Sequence, residues 1–356
     1  MNDLKDVPVL DNHSHFFKTR PYDAPLWSSL TLSLNDMPEQ QVKNTLLYHD
    51  MIANLSSLFD MPAQEEIVLA ERRRRMDSDY PGYIRELFTD VNLRWMLIDI
   101  GLAKSSVDFT EFESICPASV SYVYRSETLI DDLWKRQIPI DAAIDLLHKT
   151  IADVYSSLHF VAIKSIIGYR TGLRIESHQK VTGEKSYRDI LFKETAGICR
   201  ELNVPFHVHA AFGESNLDLR ENNPLHLKDF LDSSDAEGLK LVLIHGGYPY
   251  TFEAGYLAAM YPGIYVDISE FIPFASMGMR RGVEDILSMC PTNKILYGSD
   301  GFDVPETHWL GGRSAKETLS AIIMSLVERG KITSKYGQLM YHDILYRNSL
   351  TLHNIR

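Results

Sequence analysis

Two histidines one residue apart, His13 and His15, lie in the run Asp11-Asn12-His13-Ser14-His15, directly after the apolar run Val7-Pro8-Val9-Leu10. At the exit of a strand, positions i and i+2 face the same side, so both imidazoles can grip one metal ion through a ring nitrogen. Four more apolar, β-branched runs end in a group of related chemistry: Lys164 after Val161-Ala162-Ile163, His207-Val208-His209, His245 before Gly246-Gly247, and Asp300 after Gly298-Ser299. A divalent ion held by neutral imidazoles and one carboxylate keeps a position open for water and lowers the pKa of that water. Asp300 is suited to accept the proton while touching the metal, and His245 to polarise a substrate or carry a proton. His207 and His209 share a strand face, and one ion does not take both. Lys164 fits three roles: a snorkelling lysine, a charge partner for a carboxylate, or a carboxylated lysine bridging two metals. Arg125 and Arg170 follow the third and fourth strand ends, where each can hold a substrate carboxylate by bidentate contact or form a surface salt bridge.

The elements that must position these groups are short buried-type strands separated by helical stretches. The apolar runs predict strands over 7–10, 93–100, 120–124, 160–163, 205–208, 241–244, 264–268 and 294–297. Helical periodicity runs over 65–76, 130–157, 187–202, 225–231, 315–328 and 341–352. Eight such strands alternating with helices predict an α/β fold with a parallel sheet, and the count favours a (β/α)₈ TIM barrel. An open doubly wound sheet lacks support, because no G-x-G-x-x-G or Walker A loop follows the first strand. Residues 21–90 are far longer than a usual βα connection and read as a helical insertion capping the barrel mouth. The chain, 1–356, then forms a single barrel domain.

Composition narrows the function further. With 45% hydrophobic and 24% charged residues, a sizeable core is expected. A formal net charge of −12 argues against nucleic acid and anionic membrane surfaces as partners. The basic run Arg72-Arg73-Arg74-Arg75 reads as a solvated helix face. The three cysteines, Cys116, Cys199 and Cys290, are widely spaced and suggest no disulfide framework. No signal peptide or long apolar segment is visible, so a cytoplasmic protein is expected. Its partner would be a small-molecule substrate, and a homo-oligomer is compatible with this reading. No cysteine has a visible catalytic partner, and no G-x-S-x-G elbow is present.

The same residues resemble the amidohydrolase superfamily, and more narrowly its amidohydrolase-related (type 2) branch. The resemblance rests on Asp11-Asn12-His13-Ser14-His15, Val208-His209, Leu243-Ile244-His245-Gly246-Gly247-Tyr248-Pro249, Val266-Asp267, Tyr297-Gly298-Ser299-Asp300 and Tyr346-Arg347-Asn348-Ser349. Lys164-Ser165-Ile166-Ile167-Gly168-Tyr169-Arg170 and His209-Ala210-Ala211-Phe212-Gly213-Glu214 are also similar to the hydrolase domain of FluG- and nodulin-type glutamine synthetase fusions. No synthetase segment follows, which implies the stand-alone form. The resemblance implies a divalent metal, most often zinc, as one or two ions. It matches His13, His15, His209 and Asp300 to metal positions, and Lys164 to a lysine of the group, a ligand if carboxylated. His245 matches a histidine that is a ligand in some members and catalytic in others. The close group usually has glutamine where this chain has His207, which becomes an extra proton carrier or a substrate-side residue. The implied activity is hydrolysis of a C–N bond, amide or amine, in a small carboxylate-bearing substrate. The branch also contains metal-dependent non-oxidative decarboxylases, which stand as the alternative.

Overall fold

In the computed structural model, which describes residues 6–102 and 107–355, eight parallel strands form one sheet in sequential order. They are β1 (Val9–Ser14), β2 (Leu93–Asp99), β3 (Ser119–Arg125), β4 (Ala162–Ser165), β5 (Phe206–His209), β6 (Leu241–Ile244), β7 (Ile264–Asp267) and β8 (Ile295–Leu296). Each falls on a run expected to be a strand. Helices follow the strands, and the architecture is the (β/α)₈ barrel. Three main-chain bonds join the stretch after β8 to β1 and close the ring: Asn12 N to Tyr297 O at 2.8 Å, Asp300 N to His13 O at 2.8 Å, and His15 N to Gly301 O at 2.8 Å. Gly298 permits this approach, since a Cβ there would lie 2.6 Å from Asp267 Oδ2 and 3.0 Å from His13 N.

Inward-facing positions change character along each strand. The lower layer is mainly apolar: Leu10, Leu97, Val123 and Ala162 pack with Ile355, and Val242, Ile244 and Leu296 pack with Leu352. The C-terminal segment thereby plugs the lower end. Two residues further along, the alternation brings Asp99, Arg125 and Lys164 inward. On β1 this alternation alone would send His13 and His15 outward, because Leu10 already faces in. A bulge corrects it: Asp11 pairs with Met96 and Ser14 with Ile98, three steps against two.

The helical expectations needed adjustment. The stretch 130–157 is two helices, Glu127–Lys135 and Ile140–Leu158. They are separated at Gln137, whose φ is 56°, and Pro139 precedes the second helix. The stretch 315–328 belongs to a longer helix, Pro305–Glu328, whose start is masked in sequence by Gly311 and Gly312. Residues 21–90 contain the helices Glu39–Lys43, Leu46–Phe59, Glu65–Ser78 and Tyr80–Asp90. The arginine run is not a uniformly solvated face. Arg72 is buried and pairs with Glu306, which also accepts from Tyr83 Oη at 2.9 Å, while Arg73, Arg74 and Arg75 form surface pairs. Buried charge tolerates this only when paired. No helix among the described residues is long and apolar enough to cross a membrane.

Candidate active site

Backbone turns at the strand ends aim the reactive side chains over the barrel mouth. His245, Glu270 and Asp300 adopt left-handed backbone, with φ of 70°, 62° and 53°. Such geometry is costly for residues with a Cβ and clusters at functional sites. Asp300 Oδ1 lies 3.1 Å from His13 Nε2 and 3.2 Å from His15 Nε2. Lys164 Nζ approaches His13 Nε2 to 3.1 Å. His245 Nε2 faces His209 Nδ1 at 3.0 Å, and the His13 and His245 ring centroids are 5.4 Å apart. His13, His15, Lys164, His209, His245 and Asp300 all line one cavity of about 490 Å³.

The surrounding residues hold this group in place. His15 Nδ1 donates to the Asp99 carbonyl at 3.3 Å, the tautomer that leaves Nε2 free to act as a ligand. Arg125 clamps the Asp99 carboxylate through Nε and Nη2, at 3.0 and 2.6 Å from Oδ2. Asp267 accepts from Asn12 Nδ2 at 3.0 Å and from the His245 main-chain N–H at 3.3 Å, tying β1, β6 and β7 together. Ser269 Oγ lies 3.0 Å from His245 Nδ1, and Glu270 Oε2 lies 3.4 Å from the same atom.

Burial sets the protonation states. It lowers the pKa of His13 to about 4, assisted by Lys164, and pushes His209 and His245 well below their usual values. The imidazoles are therefore neutral near pH 7, the form that binds metals. Burial opposes the charge on Asp300, but His245, His13 and His15 together hold its carboxyl well below the usual range. Burial lowers Lys164 to about 8 and raises Glu270 well above an ordinary glutamate, Asp300 adding to the latter effect.

The donors fit a divalent cation. Ligands about 2.1 Å from a tetrahedral ion stand roughly 3.4 Å apart, close to the separations of Asp300 Oδ1 from His13 and His15. Asp300 Oδ1 is buried and makes no aligned hydrogen bond despite the two nitrogens near it. His13, His245 and Asp300 also offer ligand atoms within 4.8 Å of one another. A second group that meets this distance is His13, His15 and Asp99, so His13 is common to both, and an ion would be held by His13 with His15, His245 and Asp300 around it. His209 stands one imidazole away, with Nε2 turned to the Ala211 carbonyl at 3.0 Å and Tyr169 packed on its ring.

The three candidate substrate residues fare differently. Arg125 and Arg170 both line the cavity. Each already uses its Nε–Nη2 edge on a carboxylate, Arg125 on Asp99 and Arg170 on Asp131, so a substrate must meet the remaining Nη1 side. His207 is corrected: it is not among the described residues lining the mouth. It lies in the lower layer, fully buried, with Nε2 2.9 Å from His353 Nε2. Its strand face is the one expected, but the barrel interior is deep enough that only His209, two residues on, reaches the cavity.

Sequence reading missed Glu270, Asp99 and Glu127. Glu270 and Asp99 stand at the ends of strands seven and two, so the strand-end rule applied to acids would have found them. Glu127 lines the cavity from the start of a helix and carries no such signal.

Comparisons with known proteins agree with this picture. Residues 167–332 match the family model described as amidohydrolase. Protein fluG of Emericella nidulans is 25% identical over 408 residues, covering 99% of this chain and 46% of that protein. The chain thus spans about half the length of this curated relative. A protein from Lactobacillus casei ATCC 334, whose structure bears the description metal-dependent hydrolase, superposes with a TM-score of 0.85 at 25% identity, covering 99% of this chain and 96% of that one. A uronate isomerase from Thermotoga maritima shares the fold, with a TM-score of 0.67 and 14% identity over 99% of this chain and 96% of that one.

Proposed function

Because this chain belongs to the amidohydrolase-type family and is an enzyme of that superfamily, we propose that it hydrolyses a C–N bond, amide or amine, in a small carboxylate-bearing substrate. The convergence of His13 Nε2 and His15 Nε2 on Asp300 Oδ1, at 3.1 and 3.2 Å, is the observation that carries this reading. Imidazoles with one carboxylate suit zinc, with His209, His245 and a carboxylated Lys164 available to a second ion. When bound, the ion supplies Lewis acidity, making water nucleophilic near neutral pH.

The protein's own groups do the rest. Asp300, held ionised, takes the proton released by the water and returns it to the leaving nitrogen. His245, neutral and backed by Ser269 and Glu270, donates to the substrate carbonyl or relays the proton. Arg125 and Arg170 orient the substrate carboxylate from the opposite wall through their remaining N–H groups. Leu34 of the 21–90 insertion lines the mouth, and its loop is tied to the stretch after β5: Ser215 N donates to Leu32 O at 3.1 Å and Leu34 N to Ser215 Oγ at 3.0 Å. We also place the enzyme in the cytoplasm.

The test is a panel of amides and amines, each bearing one carboxylate, with zinc-loaded protein and paired assays for ammonia or amine and for carbon dioxide. Release of amine supports the reading. Carbon dioxide without amine would replace it with decarboxylation.

A further inference from the structure

A second cavity, of about 450 Å³, adjoins the first and shares His15, Leu34, Glu214, Glu270 and Asp300 with it. The two therefore meet over Asp300, where the preceding reading puts the reacting bond. The second cavity is walled by Phe16, Phe302, Leu32 and Leu34. Its aromatic wall is braced from behind: Phe16 stacks on Phe109 at 5.3 Å and packs edge-on to Phe112 at 4.9 Å, and Phe302 stacks on Phe274 at 6.4 Å.

Away from the junction with the first cavity, where Glu270 Oε2 and Asp300 Oδ1 are left without hydrogen bonds, the charged groups around the second cavity have partners. Lys18 pairs with Asp303 at 3.5 Å. Glu111 accepts from Thr19 Oγ1 at 3.1 Å and from Arg20. Asp108 caps the helix Phe109–Ile115 through the Thr110 and Glu111 N–H groups. Glu214 accepts from Tyr169, and Glu270 faces His245. The first cavity differs. There Lys135 is exposed without an ion pair among the described residues, and Arg125 and Arg170 keep N–H groups in reserve. One arm is thus suited to an anion, the other to an uncharged group with a flat apolar face.

We propose that the second cavity is a subsite for an aromatic or similarly bulky apolar group on the far side of the scissile bond from the substrate's carboxylate. The substrate is then two-armed, with its carboxylate toward Arg125 and Arg170 and its apolar arm between Phe16 and Phe302. The inference rests on the hydrolase reading only for the bond placed between the arms. Burying a ring against aromatic walls favours it over a methyl group by about tenfold or more in affinity.

The probes are two matched pairs, N-benzylsuccinamate with N-methylsuccinamate, and N-phenylacetylglycine with N-acetylglycine. They put the ring on the amine side and on the acyl side of the amide. Titration calorimetry with zinc-loaded protein measures binding, and amine release is assayed separately. The expected result is at least about tenfold tighter binding of the aromatic member in one pair. Ser33→Trp, which fills only the second cavity from a surface loop, should abolish that preference while leaving the affinity of the small member within about twofold. Phe302→Ala should reduce the preference without closing the cavity. Equal binding within both pairs, no binding of any probe, or a preference that survives Ser33→Trp overturns the subsite. Aromatic preference without amine release would sink the hydrolase reading and leave the subsite standing; amine release without preference would do the reverse.

Discussion

Arg125 and Asp99 form a buried bidentate pair, Nη2 lying 2.6 Å and Nε 3.0 Å from Oδ2, and the carbonyl of that same Asp99 accepts from His15 Nδ1. One residue thus links the cation wall of the cavity to the tautomer of a candidate ligand. Arg125→Gln leaves Asp99 as an uncompensated buried carboxylate. It should cost about 3–5 kcal/mol in urea denaturation, with Arg125→Lys recovering part. A cost below about 1 kcal/mol would show that Asp99 does not need this partner.

Asp300→Asn keeps a side-chain oxygen near His13 and His15 but removes the proton acceptor. The expected outcome is a fall in kcat of about 10²–10⁴-fold on any amide the enzyme cleaves. Zinc stoichiometry, measured by plasma emission, should fall less than activity does. Unchanged kcat would remove Asp300 from proton transfer.

Stripping metal should loosen the mouth, because a ligand bound only by the folded state stabilises it by mass action. At about 1,000 times its dissociation constant, added zinc should restore roughly 4 kcal/mol. His13→Ala should abolish this zinc-dependent rise in Tm. A rise that persists in this variant would put the ion elsewhere.

His353 carries a pH dependence from the other end of the barrel. Burial lowers its pKa from 6.5 to about 4, although its bond to Ser349 works the other way. Between those values the unfolded chain binds a proton that the folded protein does not. Its stabilising contribution is therefore complete above pH 6.5 and is lost as pH falls toward 4, about 3 kcal/mol in all. His353→Gln retains an acceptor for His207 and should flatten that slope in urea titrations at pH 4–7. An unchanged slope would assign the acid sensitivity to other groups.

Gly298→Ala tests the closing seam between β8 and β1. The added Cβ would meet Asp267 Oδ2 at 2.6 Å and Ser269 Cβ at 2.9 Å, so the seam must open. A loss of about 1–3 kcal/mol is expected by denaturation, with impaired zinc binding because His13 N is the third neighbour. A neutral substitution would mean that the seam is loose.

The sequence by itself determined the barrel and most of its chemistry. Runs such as Leu241-Val242-Leu243-Ile244 are local signals, and a barrel puts the residue after each run at one common mouth. That is why His13, His15, Lys164, His209, His245 and Asp300 could be grouped without coordinates. What only the tertiary structure decided is depth and partnership. His207 has the same strand and face as His209 but lies one layer lower, where the C-terminal segment brings His353 against it. Arg125 and Arg170 reach the cavity already engaged by Asp99 and Asp131. Glu270 meets His245 because β7 and β6 are neighbours. The bulge that turns both His13 and His15 inward depends on pairing with β2, about eighty residues away. Periodicity reports which face a residue takes, because that is set by its own backbone. How deep it sits and what it touches are set by chain segments distant in sequence, which no local pattern encodes.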